Sequence, residues 1–357
     1  MVVMPKYEVM RMNRMLKRSG QARVIKLKDV ALHAGCSAAT ASRALNGNPT
    51  VGAYERERVL AAAQQLGYIP NHSARALRSQ ATDLVGAIIP TLDHAIYARM
   101  VGGLEDRLAS VGKSVVISTT DYDRSKELTQ AKILVGRGIE SVVLVGLEHH
   151  PETVEFLRRA GVDQVYTYTS ELGGADASVG FNNRQAASVV ARYLLDLGHR
   201  RFGMIAGITK DNDRAFQRRD GFVSTLIEAG IPRHDIIVLE TPYRIENGHE
   251  AMKSLMQTYP RPTAVFCGSD ILAVGGVKYC RIAGLGVPED VSLVGFDNLE
   301  VASIVMPELT TVDVPARDMG EAAAEALLRL RTQKERSTVI EFQTRLIVRE
   351  SSAPPLH

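Results

Sequence analysis

The chain has 357 residues, 45% of them hydrophobic and 23% charged, enough length for two or three domains with well-filled cores. Its net charge of +3 conceals a split: residues 1–80 hold 13 Lys and Arg against four Asp and Glu, a net of +9, which leaves −6 for the remainder. Three scattered cysteines argue against a disulfide-built secreted protein, and no segment reaches the roughly 18 uncharged apolar residues of a membrane span.

A reducing cytoplasm is the expected location, with the basic head beside a polyanion and no membrane partner. Residues 1–23 show no hydrophobic period, and read as a disordered basic extension that adds nonspecific attraction to phosphates. Residues 27–46, LKDVALHAGCSAATASRALN, then predict two short helices over 29–34 and 38–45. They turn at Gly35, where a left-handed backbone costs little. Val30, Ala31, Ala34, Cys36, Ala41, Ala44 and Leu45 form one small apolar face, whose alanines let the helices cross closely. Ser37 is placed to cap the second helix, which turns Ala38, Ala39, Ser42 and Arg43 outward. Small residues ending in an arginine suit a B-DNA major groove, where Arg pairs bidentately with guanine and Ala touches a thymine methyl. The competing reading is a helical hairpin inside an ordinary globular domain.

A loop, NGNPTVG, separates this unit from a third helix over 53–66. Its Val59, Leu60, Ala63 and Leu66 can close a three-helix core, so the headpiece is expected to span 24–70. Residues 71–82 read as a hinge. Leu77, flanked by Arg75 and Arg78, makes a poor core element on a helix too short to stand alone. As a wedge between base pairs in a minor groove it makes sense, the cost of unstacking being offset by contact with bent DNA.

The motifs DVA..AG.S..T.SR.LN, YIPN, A.AL and VG.IIP, in that order, resemble those of the LacI/GalR family of bacterial transcriptional repressors, and the resemblance runs from about residue 24 to the end. It implies a hinge helix that forms only when a dimer sits on its operator, with Leu77 at the wedging position. The DNA contacts it implies are Ser37, Ala38, Ala39, Thr40, Ser42, Arg43, Asn46, Tyr68, Asn71, Arg75 and Leu77. Ala38 and Ala39 stand where the family often carries larger base-reading side chains, which leaves direct readout to Arg43 and methyl contacts. Gly52 and Lys26 stand where Ser and Thr caps are common, each at a cost well under about 2 kcal/mol.

From Asp83 onward, apolar runs such as LVGAIIP, SVVLVG, FGMIAG and VSLVGFD alternate with amphipathic helices. That pattern predicts parallel sheets covered on both faces, in two lobes over 83–180 and 181–357, with a ligand cleft at the strand carboxyl ends. By resemblance the chain crosses between lobes three times, returning to the first lobe near its C-terminus. The resemblance makes Arg218 and Asp270 the basic and acidic effector contacts; read alone, Asp270 is as readily a helix cap and Arg218 a surface residue. Thr91, Asp93, His94 and Tyr97 after the first strand, Asp121 after the second and Asp297 in GFDN are expected to face the cleft. A lone histidine such as His94 is more often structural. Arg214, Arg218 and Arg219 lie close in sequence and suggest an anionic effector.

Enzyme signatures are absent: no phosphate-cradling, dinucleotide, nucleophile-elbow or zinc-protease motif occurs, and GLGVPED lacks the third glycine of a dinucleotide fingerprint. His149 and His150 read as exposed loop residues, with no metal and no cofactor implied. The sequence therefore predicts an effector-responsive repressor acting as a homodimer on double-stranded palindromic operator DNA, its effector a sugar, sugar acid or sugar phosphate. The alternatives are a periplasmic-type binding protein without DNA function and a two-lobed enzyme.

Overall fold

Three helices build the first of two units, α1 (Leu27–His33), α2 (Ala38–Leu45) and α3 (Ala53–Leu66). The structure is a computed structural model that describes residues 25–68, 82–333 and 336–356, and its units divide between residues 80 and 81. The extension over 1–23 and the hinge residues Asn71, Arg75 and Leu77 lie outside the described residues.

Helix α1 starts before Asp29 because the Asp29 carboxylate accepts the Lys26 N–H at 2.8 Å, satisfying one of the donors a helix start leaves unpaired. Gly35 turns the chain at φ +62. Val30 and Val59 are 0% and 1% exposed beside Ala31, Ala34, Ala41, Ala44, Val51, Ala62 and Ala63. Each such valine contributes roughly 1.5–3 kcal/mol by burial. Leu60, expected in this core, is 48% exposed, and Ala62 takes the inward position. The buried face of α3 runs through Val59, Ala62 and Ala63 to half-buried Leu66, the i, i+3, i+4, i+7 positions of one helical stripe, and Leu60 falls beside it.

The second unit runs β1 (Leu84–Ile89), α4 (Ala95–Ala109), β2 (Ser114–Thr119), α5 (Glu127–Gly136), β3 (Ser141–Val145), α6 (Pro151–Arg159), β4 (Asp163–Thr167) and β5 (Ala177–Gly180). It continues with α7 (Asn183–Asp196), β6 (Phe202–Gly207), α8 (Asp213–Glu228), β7 (Ile236–Thr241), α9 (Ile245–Met256), β8 (Ala264–Cys267), α10 (Asp270–Ala283) and β9 (Ser292–Asp297). Last come β10 (Thr310–Asp313), α11 (Ala316–Gln333), β11 (Thr338–Glu341) and β12 (Arg345–Ile347). One sheet has the order β11-β5-β4-β3-β1-β2 and the other β12-β10-β9-β8-β6-β7. Every pairing is parallel except that of β12 with β10.

The chain changes sheet between β5 and β6, between β10 and β11, and between β11 and β12, so α11, which packs on α4 and β4, belongs with the first lobe. Gly103 and Gly320 permit that packing, since a Cβ at Gly103 would strike the Arg317 carbonyl and one at Gly320 the Met100 carbonyl. Both lobes contribute to one apolar cluster, in which the Phe181 ring lies 6.1 Å from Phe296 and Phe296 lies 6.2 Å from Phe266. The cleft follows from the strand polarity, because all the parallel strands present their carboxyl ends to the space between the sheets.

Candidate functional site

In the first unit the geometry of α2 is set at both ends. Ser37 Oγ accepts the Thr40 N–H at 3.0 Å, and Asn46 Nδ2 donates to the Ser42 carbonyl at 2.8 Å. Ala41 and Ala44 point inward and are buried. Ser37, Ala38, Ala39, Arg43 and Asn46 are exposed, with Thr40 and Ser42 half-buried at the margin of that face. Tyr68 is half-buried against the three-helix core. The outer surface of α2 is therefore shallow and carries one guanidinium near its end.

In the second unit, Ile96, Tyr97, Tyr122, Tyr168, Phe181 and Tyr243 wall a chamber between the lobes, with Arg218, Asp297 and Ser269 at its base. The chamber holds about 30 Å³ and adjoins a vestibule of about 870 Å³ between the loops that follow the strands. Arg218 lies over the Phe296 ring, 4.4 Å from its centroid, and Nη1 donates to the Gly268 carbonyl at 2.9 Å. The ring fixes the plane of the guanidinium and the carbonyl fixes its rotation. Asp297 Oδ1 stands 4.0 Å from Arg218 Nη1, and its Oδ2 accepts from Ser269 Oγ at 3.0 Å. Burial raises the Asp297 pKa to about 6, against the pull of Arg218. Asp121, Tyr122, Tyr168, Asp211 and Asp297 all have positive φ, and such strained backbone gathers where a site dictates side-chain direction.

The lobes also meet through contacts the sequence did not disclose. Arg214 Nη1 donates to Val145 O at 3.0 Å and to Asp213 Oδ1 at 2.9 Å, while Asp213 Oδ2 accepts the Leu147 N–H at 3.0 Å. Burial works against the Arg214 charge, yet Asp213 and the nearby phenols raise its pKa. His94, whose pKa burial lowers, links Tyr122 Oη at 3.1 Å on its own lobe to the Tyr243 carbonyl at 3.0 Å on the other. Arg124 pairs with Asp211 at 3.1 Å.

His94, Tyr97, Arg218 and Asp297 come together at the chamber, and Thr91, Asp93 and Asp121 stand farther out on the vestibule wall. Asp270 does not reach the chamber. It is 0% exposed, its Oδ1 accepting from Thr311 Oγ1 at 2.6 Å and its Oδ2 from the Leu299 N–H at 2.7 Å. As the first residue of α10, with Ser269 at the N-cap, its side chain turns back under the β9 loop, so Asp297 supplies the acidic group at the wall. Arg219 points to Glu240, 2.7 Å away, and takes no part in the chamber. The expectation of two exposed histidines holds for neither. His149 is 8% exposed, bonded to Glu127 at 2.9 Å and to the Gly146 carbonyl at 3.1 Å, and half-buried His150 caps α6 through Glu152 N–H. The phenols of Tyr122, Tyr168 and Tyr243 were missed because isolated tyrosines on loops carry no spacing signal. Among the described residues no group of three or more His, Cys, Asp or Glu could hold a metal, and no helix is long and apolar enough to cross a membrane.

Comparison with known proteins adds two family matches. Residues 26–71 match bacterial regulatory proteins of the lacI family, and residues 191–352 match a periplasmic binding protein-like domain. Over 329 residues the chain is 31% identical to the catabolite control protein A of Priestia megaterium, spanning 92% of this chain and 99% of that protein. Over 332 residues it is 30% identical to the transcriptional repressor PurR of Klebsiella pneumoniae, spanning 92% and 96%. A LacI-family transcriptional regulator from Silicibacter pomeroyi superimposes with a TM-score of 0.83 at 29% identity, covering 92% of this chain and 99% of that one.

Proposed function

Because the chain belongs to the LacI family of bacterial regulatory proteins, we propose that it is a homodimeric repressor that reads a double-stranded palindromic operator and releases or tightens its grip as a small effector binds between its lobes. The observation that carries this reading is one chain holding both halves of such a device. Helix α2 offers a shallow exposed face ending in Arg43, and a separate two-lobed unit sets Arg218 against Asp297 within aromatic walls.

In this reading α2 enters the major groove with Arg43 directed to a guanine and the Ala38 and Ala39 methyls to thymine. Thr40 and Ser42 touch phosphate or base edges, and Ser37 and Asn46 fix the helix ends beside the backbone. Tyr68, Asn71, Arg75 and Leu77 carry the contact toward the minor groove. The effector is a sugar, sugar acid or sugar phosphate. Arg218 and Asp297 form the polar floor on which hydroxyls donate and accept, and Tyr97, Tyr122 and Tyr243 stack against the ligand's apolar face. His94, Thr91, Asp93 and Asp121 line its entry, and Asp270 braces the loop that holds Asp297. A chamber of about 30 Å³ has room for about one or two waters, so the lobes must part to admit a sugar. That parting is the two-state element to which operator affinity is linked.

A periplasmic-type binding protein without DNA function would leave the three-helix unit and the net +9 of residues 1–80 unused. The deciding experiment is a gel shift of purified protein on palindromes flanking its gene against random duplex, with and without sugars, sugar acids and sugar phosphates. A salt-dependent preference for one palindrome, altered by one effector, is expected. Equal affinity for all duplexes defeats the repressor reading.

A further inference from the structure

The segment 145–150, which leads from the end of β3 into α6, meets the second lobe twice directly and once through Arg124. The Val145 carbonyl accepts from Arg214 at 3.0 Å, and the Leu147 N–H donates to Asp213 at 3.0 Å. The His149 carbonyl accepts from Arg124 Nη2 at 2.7 Å, and the same guanidinium reaches Asp211 at 3.1 Å. A buried side chain of the segment fixes its shape. The His149 ring sets Nδ1 2.9 Å from Glu127 Oε1 and Nε2 3.1 Å from the Gly146 carbonyl oxygen. Glu127 also accepts the His150 N–H through Oε2 at 2.9 Å, so one ring and one carboxyl group bind both ends of the turn. Gly146 in turn packs against Arg214 and Asp213, too closely to leave room for a Cβ.

The two oxygens flanking the ring set its charge. A carbonyl oxygen and an ionised carboxylate only accept, whereas a neutral imidazole has a single N–H to give. Both contacts are hydrogen bonds only while the ring carries two protons; a neutral ring turns a lone pair toward one of the oxygens. Glu127 is the first residue of α5, where the helix dipole favours a carboxylate. The Tyr166 ring of β4 lies 4.5 Å from that of His149, and burial, followed by the Glu127 charge, pushes its hydroxyl up to about 12, so it stays neutral. Arg158 of α6 is paired with Glu155 at 3.0 Å, and Glu148 lies 3.6 Å from Arg124, which leaves Glu127 as the partner of the ring's charge. We propose that His149 is a proton-operated strut: its second proton shapes the 145–150 segment to hold the second lobe, and loss of that proton frees the segment and lets the lobes part. The strut acts on the angle between the lobes; that effector affinity then varies with pH rests on the reading proposed above.

The test follows two signals through a pH titration of the full-length protein. One is the nitrogen NMR spectrum of the His149 ring, assigned by its loss in His149→Gln; the other is the protection of the Leu147 amide, which donates to Asp213, against hydrogen exchange. Protection is taken relative to the amide of Val143, buried inside β3, which removes the contribution of global unfolding. The ring is expected to hold both protons wherever Leu147 is protected, and the relative protection to fall at least tenfold as the ring loses the second. Glu127→Gln removes the charge but keeps the bonds, because its amide donates to a neutral ring while its oxygen accepts the His150 N–H. Its Leu147 protection is expected to stay within twofold across the titration. Should Glu127→Gln fail to fold, His149→Gln takes its place, with no step at any pH. A neutral ring beside a protected Leu147, a ring titration that leaves Leu147 unchanged, or a step that survives either substitution overturns the proposal. Operator binding enters none of these readouts, so the repressor reading stands or falls separately.

Discussion

Arg214, rooted in the lobe of the second sheet, donates to the carbonyl oxygen of Val145 in the opposite lobe at 3.0 Å. Both Arg214 and its neighbour Asp213 are buried, at 4% and 6% exposure, so a water-excluded ion pair of one lobe is tied to the other by hydrogen bonds to the Val145 carbonyl and the Leu147 N–H. Nothing in that contact requires an effector.

Breaking a buried pair by deleting one member costs roughly 3–5 kcal/mol, because the other charge is stranded. Arg214→Met is therefore expected to destabilise the second unit strongly in urea unfolding, and Asp213→Asn with Arg214→Met to recover part of the loss. Gly146 supplies a gentler probe: at φ +97, its Cβ position is filled by Arg214. Gly146→Ala is expected to keep the fold of each lobe while forcing the clasp apart, seen as a larger radius of gyration in solution scattering. An unchanged radius would show that the clasp does not set the lobe angle.

A pH dependence follows from the carboxylates beneath the chamber. Burial, with the charge of Asp297 second, raises the Asp270 pKa to about 8. A carboxyl that titrates higher in the folded than in the unfolded chain stabilises the fold in its protonated form. That contribution is complete below the unfolded value near pH 4, about where a free Asp titrates, and is lost as pH rises through about 8. Asp297 adds the same sign of change, lost through about pH 6. The unfolding free energy of the second unit is thus expected to fall between about pH 4 and about pH 8, most steeply below about pH 6 where both groups contribute, and Asp270→Asn to flatten that slope. A wild-type stability that rises over the same interval would contradict the burial argument.

Much of this architecture was legible in the sequence where one physical signal dominated. Helices α2 and α3 matched their predicted spans because caps and glycines bound them, and strands such as β3 and β9 announce themselves as continuous apolar runs. The short strands β5, β10, β11 and β12, of three or four residues, gave no such run, and their places depend on partners distant in sequence. The chamber was half legible for a similar reason. Asp297 ends β9 and Arg218 lies in the second turn of α8, close to the strand carboxyl ends where a parallel sheet gathers its site residues. The burial of Asp270, the turn of Arg219 toward Glu240 and the reach of Arg214 across the lobes depend on tertiary neighbours that no local pattern encodes.

The two units give separable predictions. Ala44 is 2% exposed where α2 crosses its neighbours, and enlarging a packed residue typically costs about 1–3 kcal/mol. Ala44→Leu is expected to unfold the headpiece at lower temperature and abolish operator binding. Effector binding, measured by calorimetry, is expected to stay within about twofold, since additivity holds for distant sites. Parallel loss of both activities would mean the units are not independent.

The sharpest test of the DNA reading lies in Arg43, an exposed arginine in the last turn of α2. Two roles make opposite predictions for Arg43→Ala. If its guanidinium pairs bidentately with one guanine, the variant loses about 1–3 kcal/mol on the true operator and tolerates substitution of that base pair, while its affinity for random duplex changes little. If it serves as a phosphate contact, affinity falls by a similar factor on every sequence, and the slope of log K against log salt shrinks by about one unit. Because the methyl side chains of Ala38 and Ala39 carry no hydrogen-bonding group, the first outcome is expected, with specificity relaxed at a single position of each half-site. Titrations of wild type and Arg43→Ala over a set of single-base operator variants at two salt concentrations separate the roles. A uniform loss with a reduced slope would assign Arg43 to the phosphates and leave direct readout by α2 to Ala38, Ala39, Thr40 and Ser42.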